Sequence, residues 1–271
     1  MSAGGLAIVI VTCNSASVIG RCLAALGPEL CRAVVAVDNA SADTSRDILR
    51  AAGARVLASP TNEGFARAAN LGAREADAAV LCFLNPDCEM TPEVARAGEA
   101  ALDGHVLACA APDLLEPGGA VAGRQPGYSL SKLFADVVEG AYGGTAIRGV
   151  LRRLPGYDDA SWSWPHGACV FVRRDTFLSL GGFPDTTFMY MEDVAFGWRL
   201  SRAGGEVVSL PHQVPHGGAA GAAIPVPARR RLLREARLQY AAARYGWIVA
   251  GLLRGVTIPG RLARRLVRPG A

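Results

Sequence analysis

A chain of 271 residues with 51% hydrophobic and 19% charged residues has a globular composition and is long enough for one large α/β domain with a smaller appendage. Its net charge of +4 is unevenly spread: residues 228–271 carry eleven Arg against one Glu, a formal +10, which leaves about −6 on residues 1–227. No apolar run approaches the roughly 18–20 residues that span a bilayer, MSAGG lacks a basic leader, and the seven cysteines form no C-x-x-C pair, so a reducing, cytoplasmic location is expected.

LAIVIVTCN (6–14), AVVAVD (33–38), ARVLAS (54–59) and AAVLCFL (78–84) are short apolar runs of strand length. Between them lie helical patterns: Val18, Ile19, Cys22, Leu23 and Leu26 after Ser15; Ile48, Leu49 and Ala52 after Ser41 and Asp43; and residues 64–76. Such alternation predicts βαβ units and a mainly parallel sheet, which binds ligands beyond the carboxyl ends of its strands. Pro86 ends the fourth run and places Asp87 just past that edge. On its own, FLNPDCEM (83–90) also reads as a turn, or as a cap for the next helix.

Thr91 and Pro92 then start a helix over 91–102, and further strands fit 106–110, 167–174 and 206–210. Residues 116–162 are rich in Gly and turn formers and read as a long loop with one short helix at 131–138. The first turn, VTCNSAS, has no glycine for a dinucleotide pyrophosphate, and the Walker pattern is absent. What remains is one carboxylate at the end of each of two strands, Asp38 and Asp87.

The ordered series VTCNS (11–15), VDNAS (37–41), NEGFARAANLG (62–72), LNPD (84–87), GACVFVRR (167–174), GGFP (181–184), MYMEDVAFGWRL (189–200) and HGG (216–218) resembles the family 2 glycosyltransferases, especially their rhamnosyltransferase-like branch. The resemblance implies an α/β GT-A (nucleotide-diphospho-sugar transferase) fold over 1–227. Its nucleotide-binding half is 1–115, its acceptor and catalytic half 116–227, and residues 228–271 add a basic helical C-terminal extension. It also implies inverting, metal-dependent transfer of one sugar from a UDP- or dTDP-linked donor to an acceptor hydroxyl. No Q-x-x-R-W pattern of processive synthases follows the Glu-Asp pair.

By that resemblance Asp87 holds a divalent cation, Mg²⁺ or Mn²⁺, with Asn85 in place of the first acid of a D-x-D-like motif. His216 completes the metal site, or is a hydrogen-bonded structural residue. Asp38 accepts the imide N–H of uracil or thymine, while Thr12, Asn14, Asn62, Gly64, Asn70 and Asn85 frame the donor. Asp193 is the general base and Glu192 its neighbour, which positions the acceptor or raises the base's pKa. Relatives often continue E-D-V-D-L, whereas Ala195 and Phe196 stand here, so the alternative is a catalytically silent module that binds nucleotide sugar or a protein partner.

Trp162, Trp164 and His166 are candidates for facing sugar rings or for the core, and Arg173 and Arg174 for phosphate or solvent. The arginines of 228–271 are expected to meet anionic headgroups at the inner face of the plasma membrane, which suits a polyprenyl-linked acceptor; packing on the body or on a second copy in a homodimer is the alternative. Nucleic acid is not an expected partner, because no aromatic interleaving accompanies the arginines.

Overall fold

The computed structural model describes residues 5–142, 149–153, 155–218 and 224–267. The first half alternates as its periodicity predicts: β1 (Leu6–Thr12), α1 (Ala16–Cys31), β2 (Val34–Asn39), α2 (Ser45–Ala51), β3 (Arg55–Ser59), α3 (Phe65–Glu75), β4 (Val80–Leu84) and α4 (Pro92–Ala100). Thr91 caps α4 by accepting the Val94 N–H at 3.5 Å, with Pro92 in the first turn.

β5 (Ala108–Leu115) and β6 (Val121–Ala122) follow, then β7 (Gln125–Tyr128), α5 (Leu130–Tyr142), β8 (Asp158–Trp164), β9 (Cys169–Arg173), α6 (Arg174–Ser179), α7 (Glu192–Arg202) and β10 (Glu206–Pro215). The eight-stranded sheet runs β10-β5-β9-β4-β1-β2-β3, with β6 on β5. Its strands are mainly parallel; β9 is antiparallel to both β4 and β5. β7 and β8 pair as a separate ribbon inside the stretch that reads as a loop, and the helix expected at 131–138 is the longer α5.

Both sheet faces are buried, as parallel strands require. One face packs Ile8, Ile10, Cys82 and Phe171 with Ile19 and Leu26 of α1 and Val94 of α4. The other packs Val9, Leu81 and Phe83 against α3, α6 and α7. Gly72 lets α3 settle on β1, because a Cβ there would lie 2.5 Å from Val9 Cγ1. Phe83 meets Phe177 and Phe183 at ring centroids of 4.6 and 4.7 Å, a cluster that ties the sheet to the loop ahead of α7.

The arginine-rich segment forms α8 (Val226–Tyr245) and α9 (Trp247–Val267); residues 268–271 of the expected extension lie outside the described residues. These helices share a third core with the body: Ala236, Leu238, Tyr240 and Leu253 pack with Tyr128, Leu133, Trp162, Met191 and Val194. Not every arginine faces outward. Arg244 lies 3.3 Å above the Trp198 ring, and Arg237 pairs with Asp136 at 2.9 Å. Trp162 is therefore a core residue, edge-to-face with Trp198.

Candidate active site

The carboxyl ends of the first, fourth and tenth strands, the segment after β8 and the start of α7 surround one cavity of about 1050 Å³. At one end, β4 stops at Leu84 and the chain turns over Pro86. The Asn85 N–H donates to Ala168 O at 2.8 Å and the Cys88 N–H to Asn85 O at 3.1 Å, a tight turn that projects Asp87 into the cavity. The end of β10 clasps this turn: Gly217 N–H donates to Asp87 O at 2.9 Å, and Cys88 and His216 form an isolated antiparallel bridge. His216 Nε2 thus stands 3.6 Å from Asp87 Oδ1, while its Nδ1 lies 2.7 Å from Glu116 Oε1.

Burial pushes the Asp87 carboxyl above its ordinary range and His216 draws it back. A carboxylate oxygen and an imidazole nitrogen opening together on the cavity suit a divalent ion such as Mn²⁺, so Asp87 and His216 fit the expected metal site. The Cys88 sulfur lies within 4.8 Å of both groups. It is fully buried, donates to Ala168 O at 3.4 Å, and burial holds its thiol well above the usual range, so it stays neutral.

At the other end, α7 begins with Glu192 and Asp193 directly after Tyr190 and Met191, at φ 74° and 71°. Left-handed backbone is costly for such side chains and persists only where surroundings enforce it; here it aims the first turn of α7 at the cavity. Asp193 Oδ2 accepts the Gly167 N–H at 3.0 Å and Oδ1 the Val194 N–H at 2.8 Å. Burial raises this carboxyl, and His166 together with those N–H groups draws it back. Glu192 is less well compensated: burial, then the Asp193 charge, push it up to about 8 against the pull of its own backbone N–H alone, and its Oε2 is buried without a hydrogen-bond partner. Burial and mutual repulsion therefore disfavour a double negative charge on the pair, and near neutral pH the Glu192 carboxyl is neutral.

The segment 166–168 joins the two ends. Gly167 holds Asp193, Ala168 holds Asn85 and Cys88, and the His166 ring stands edge-on to His216 at 5.8 Å. Burial lowers the His166 pKa, and Asp193 opposes that shift. His166 and Trp164 line the cavity. Ala195, where relatives often carry a second Asp, packs instead on the third core.

Around the first and second strands, the expected donor residues separate. Asn14, Asn62 and Asn85 line the cavity. Asn14, at φ 54°, accepts the Ala42 N–H at 2.8 Å, and Asn62 reaches Cys13 Sγ at 3.3 Å. Thr12 and Asp38 pair in register and are 0% exposed, beneath the cavity wall. Asp38 Oδ2 accepts the Ser41 N–H at 3.2 Å and meets Arg46 Nε at 3.4 Å, while Asp38 Oδ1 and Thr12 Oγ1 have no partner. Gly64 and Asn70 are not in the wall. A Cβ on Gly64 would stand 2.2 Å from Phe188 O, and Asn70 binds the Phe183 backbone through both amide atoms at 2.8 and 2.9 Å, so each shapes the loop before α7.

Arg173 and Arg174 donate to the carbonyls of Leu102 and Ala73, near helix ends, instead of facing the cavity. The cations that do line it are Lys132, Arg152, Arg229 and Arg237. Lys132 stands over the Tyr128 and Tyr157 rings at 5.8 and 6.0 Å. Sequence reasoning did not single out Glu116: EPGG reads as a turn, and its link to His216 exists only because β5 and β10 are neighbours.

Residues 7–140 match the family described as Glycosyl transferase family 2. A stretch of 48 residues is 50% identical to N-acetylglucosaminyl-diphospho-decaprenol L-rhamnosyltransferase of Mycobacterium tuberculosis, in two strains; it covers 18% of this chain and 16% of that protein. Among solved structures, TarS 1-349 of S. aureus superposes with a TM-score of 0.57 at 13% identity, over 98% of this chain and 93% of that one. Glucosyl-3-phosphoglycerate synthase from Mycobacterium tuberculosis, in complex with Mn²⁺, uridine diphosphate and glucosyl-3-phosphoglycerate, superposes with a TM-score of 0.56 at 16% identity, over 88% and 79%. At these identities the likeness is one of fold, the GT-A fold.

Proposed function

We propose, from a chain whose residues 7–140 are a glycosyl transferase family 2 domain, that it transfers one sugar from a UDP- or dTDP-linked donor to an acceptor hydroxyl with inversion and with the aid of a divalent cation. One observation carries this reading: Asp87 and His216 open on the same cavity as Glu192 and Asp193. A cation held by Asp87 and His216 supplies counter-charge to the departing nucleoside diphosphate. Asp193, fixed by Gly167 and Val194, takes the proton of the incoming hydroxyl. Neutral Glu192 has a carboxyl hydrogen to offer the acceptor. The seat of Ala195 in the third core supports Asp193, and not that position, as the base.

Asn14, Asn62 and Asn85 hold the donor; Asp38, the residue to accept an imide N–H that uracil and thymine share, lies beneath that wall, so its unpartnered Oδ1 is reached only when the wall opens. Arg152 and Arg229 along the wall support an acceptor that carries an anionic group, in keeping with the diphospho-decaprenol in the curated relatives' name, whereas Lys132 and Arg237 already face Asp158 and Asp136. No helix among the described residues is long and apolar enough to cross a membrane. α9 nonetheless exposes Trp247, Ile248 and Leu252 (79%, 60% and 68%), and Ile248, Leu252 and Val256 are spaced four apart on one face. That face supports contact with the surface of a bilayer holding a lipid-linked acceptor.

Incubation with a panel of UDP- and dTDP-sugars, Mn²⁺ and a lipid-linked acceptor tests the reading. Metal-dependent release of nucleoside diphosphate and an inverted anomeric centre in the product are expected. Release of pyrophosphate, or turnover that chelators leave unchanged, overturns it.

A further inference from the structure

Glu116 belongs to neither the nucleotide half nor the catalytic pair, yet it stands against the metal end of the cavity. It occupies the turn between β5 and β6, closed by Glu116 N–H to Ala120 O at 2.8 Å and Gly119 N–H to Glu116 O at 3.0 Å, with Gly118 and Gly119 at φ 89° and 84°. Because β10 runs parallel to β5 with Pro215 opposite Leu115, and His216 N–H donates to Leu115 O at 3.0 Å, the next residue of each strand brings Glu116 and His216 together. Glu116 Oε1 then reaches His216 Nδ1 at 2.7 Å. Its other oxygen packs on Gly218, where a Cβ would stand 2.5 Å away.

We propose that Glu116 is the positioning residue of the metal site, fixing His216 with its proton on Nδ1 so that the Nε2 lone pair faces the ion shared with Asp87. An ionised carboxylate only accepts, so a contact of this length places the imidazole hydrogen on Nδ1. The ring could otherwise carry it on Nε2, pointing at Asp87 Oδ1 only 3.6 Å away, an internal pair that competes with a cation for both ligands. Glu116 selects between these states. Outer carboxylates of this kind commonly change metal affinity by roughly tenfold to a hundredfold. The inference rests on the proposed metal-dependent reading and extends it to a residue outside the ligand pair.

Mn²⁺ binding, read by the free-ion electron paramagnetic resonance signal, and ¹⁵N NMR of the His216 ring in the metal-free protein test it together. Glu116→Ala is expected to weaken Mn²⁺ binding by roughly tenfold or more and to move the ring proton toward Nε2. Glu116→Gln, whose amide oxygen still accepts from Nδ1–H, is expected to keep the tautomer and most of the affinity; Asp87→Ala and His216→Ala mark the loss of a ligand itself. If those two weaken binding while Glu116→Ala binds as the parent and keeps Nδ1–H, the positioning role is overturned and the metal site stands. If no variant changes Mn²⁺ binding, the metal reading falls and this inference with it.

Discussion

The Asp193 carboxylate is anchored by the backbone N–H of Gly167, 3.0 Å from Oδ2, so its place is set by a main-chain group 26 residues away. Gly167 allows this: a Cβ there would come within 3.1 Å of the same oxygen. Asp193→Asn keeps the shape but removes the negative oxygen proposed to take the acceptor proton. It is expected to lower kcat by about 10²- to 10⁴-fold, the usual range for a lost general base, with UDP affinity unchanged. Near-parental turnover in steady-state assays would assign the base elsewhere.

Glu192 has the opposite problem, a carboxyl whose ionised form is disfavoured. With a folded pKa of about 8 against an ordinary 4.5, the native state holds more protons than the unfolded chain between those values. Stability from this group is fully present below 4.5 and is lost as pH rises through 8. Glu192→Gln removes the loss and is expected to raise stability at pH 8.5 by up to about 4 kcal/mol relative to the parent, and by little at pH 4.5. Urea midpoints at the two pH values check this. Near neutral pH the same variant is expected to keep more than roughly a tenth of parental kcat, since a neutral group replaces a neutral group.

Asp38 is buried with one carboxylate oxygen unpartnered, a costly state unless a ligand donor fills it. Asp38→Asn is expected to weaken UDP and dTDP binding alike by roughly tenfold to a hundredfold, read by titration calorimetry. A variant that folds and binds both nucleotides as the parent would place base recognition elsewhere.

At Gly64, φ is +89° and the space for a Cβ is taken by Phe188 O at 2.2 Å. Gly53 shares that φ of +89° but would meet only Arg32 Cγ, at 3.6 Å. Gly53→Ala is expected to cost about 1 kcal/mol from backbone conformation alone. Gly64→Ala is expected to cost about 3 kcal/mol or more, because it also breaks the 3.0 Å bond from Phe65 N–H to Phe188 O. Denaturant midpoints of the pair separate conformation from crowding.

For α9, changing Trp247, Ile248 and Leu252 together to Ser is preferable to truncation, because Leu253 is buried in the third core and its loss disturbs the body. The triple variant is expected to lose co-flotation with phosphatidylglycerol vesicles while keeping its Tm. Flotation equal to the parent would remove the membrane reading.

Much of this architecture was legible because its signals are local. The first four strands and their helices are runs with one period each, and Pro86 and Thr91 mark edges by their own chemistry. Asp87, Glu192 and Asp193 were legible for the same reason, as acids at strand and helix ends. β7 and β8 were not, since QPGY carries Pro and Gly within four residues, the alternation of Ala160, Trp162 and Trp164 sits at the end of a turn-rich stretch, and the two strands pair across about thirty to forty residues. Glu116 was hidden because strands far apart in the chain bring it to His216. That Asn70 and Gly64 hold the loop before α7 was not legible either, since Phe183 and Phe188 lie more than a hundred residues away in the chain. The arginines of α8 misled in part because composition does not show that Arg237 and Arg244 turn inward to Asp136 and Trp198.

The third core carries a timing consequence. Met191 and Val194, which support the first turn of α7, pack with Ala236, Tyr240 and Leu253. During synthesis, at about 5–20 residues per second, the sheet has every strand once Pro215 has emerged from the ribosome, but the backing of the catalytic helix arrives only with residues 236–253. The sheet can thus form several seconds before Glu192 and Asp193 are fully braced, so a nascent chain completes the strand ends of the cavity before its opposite wall is set.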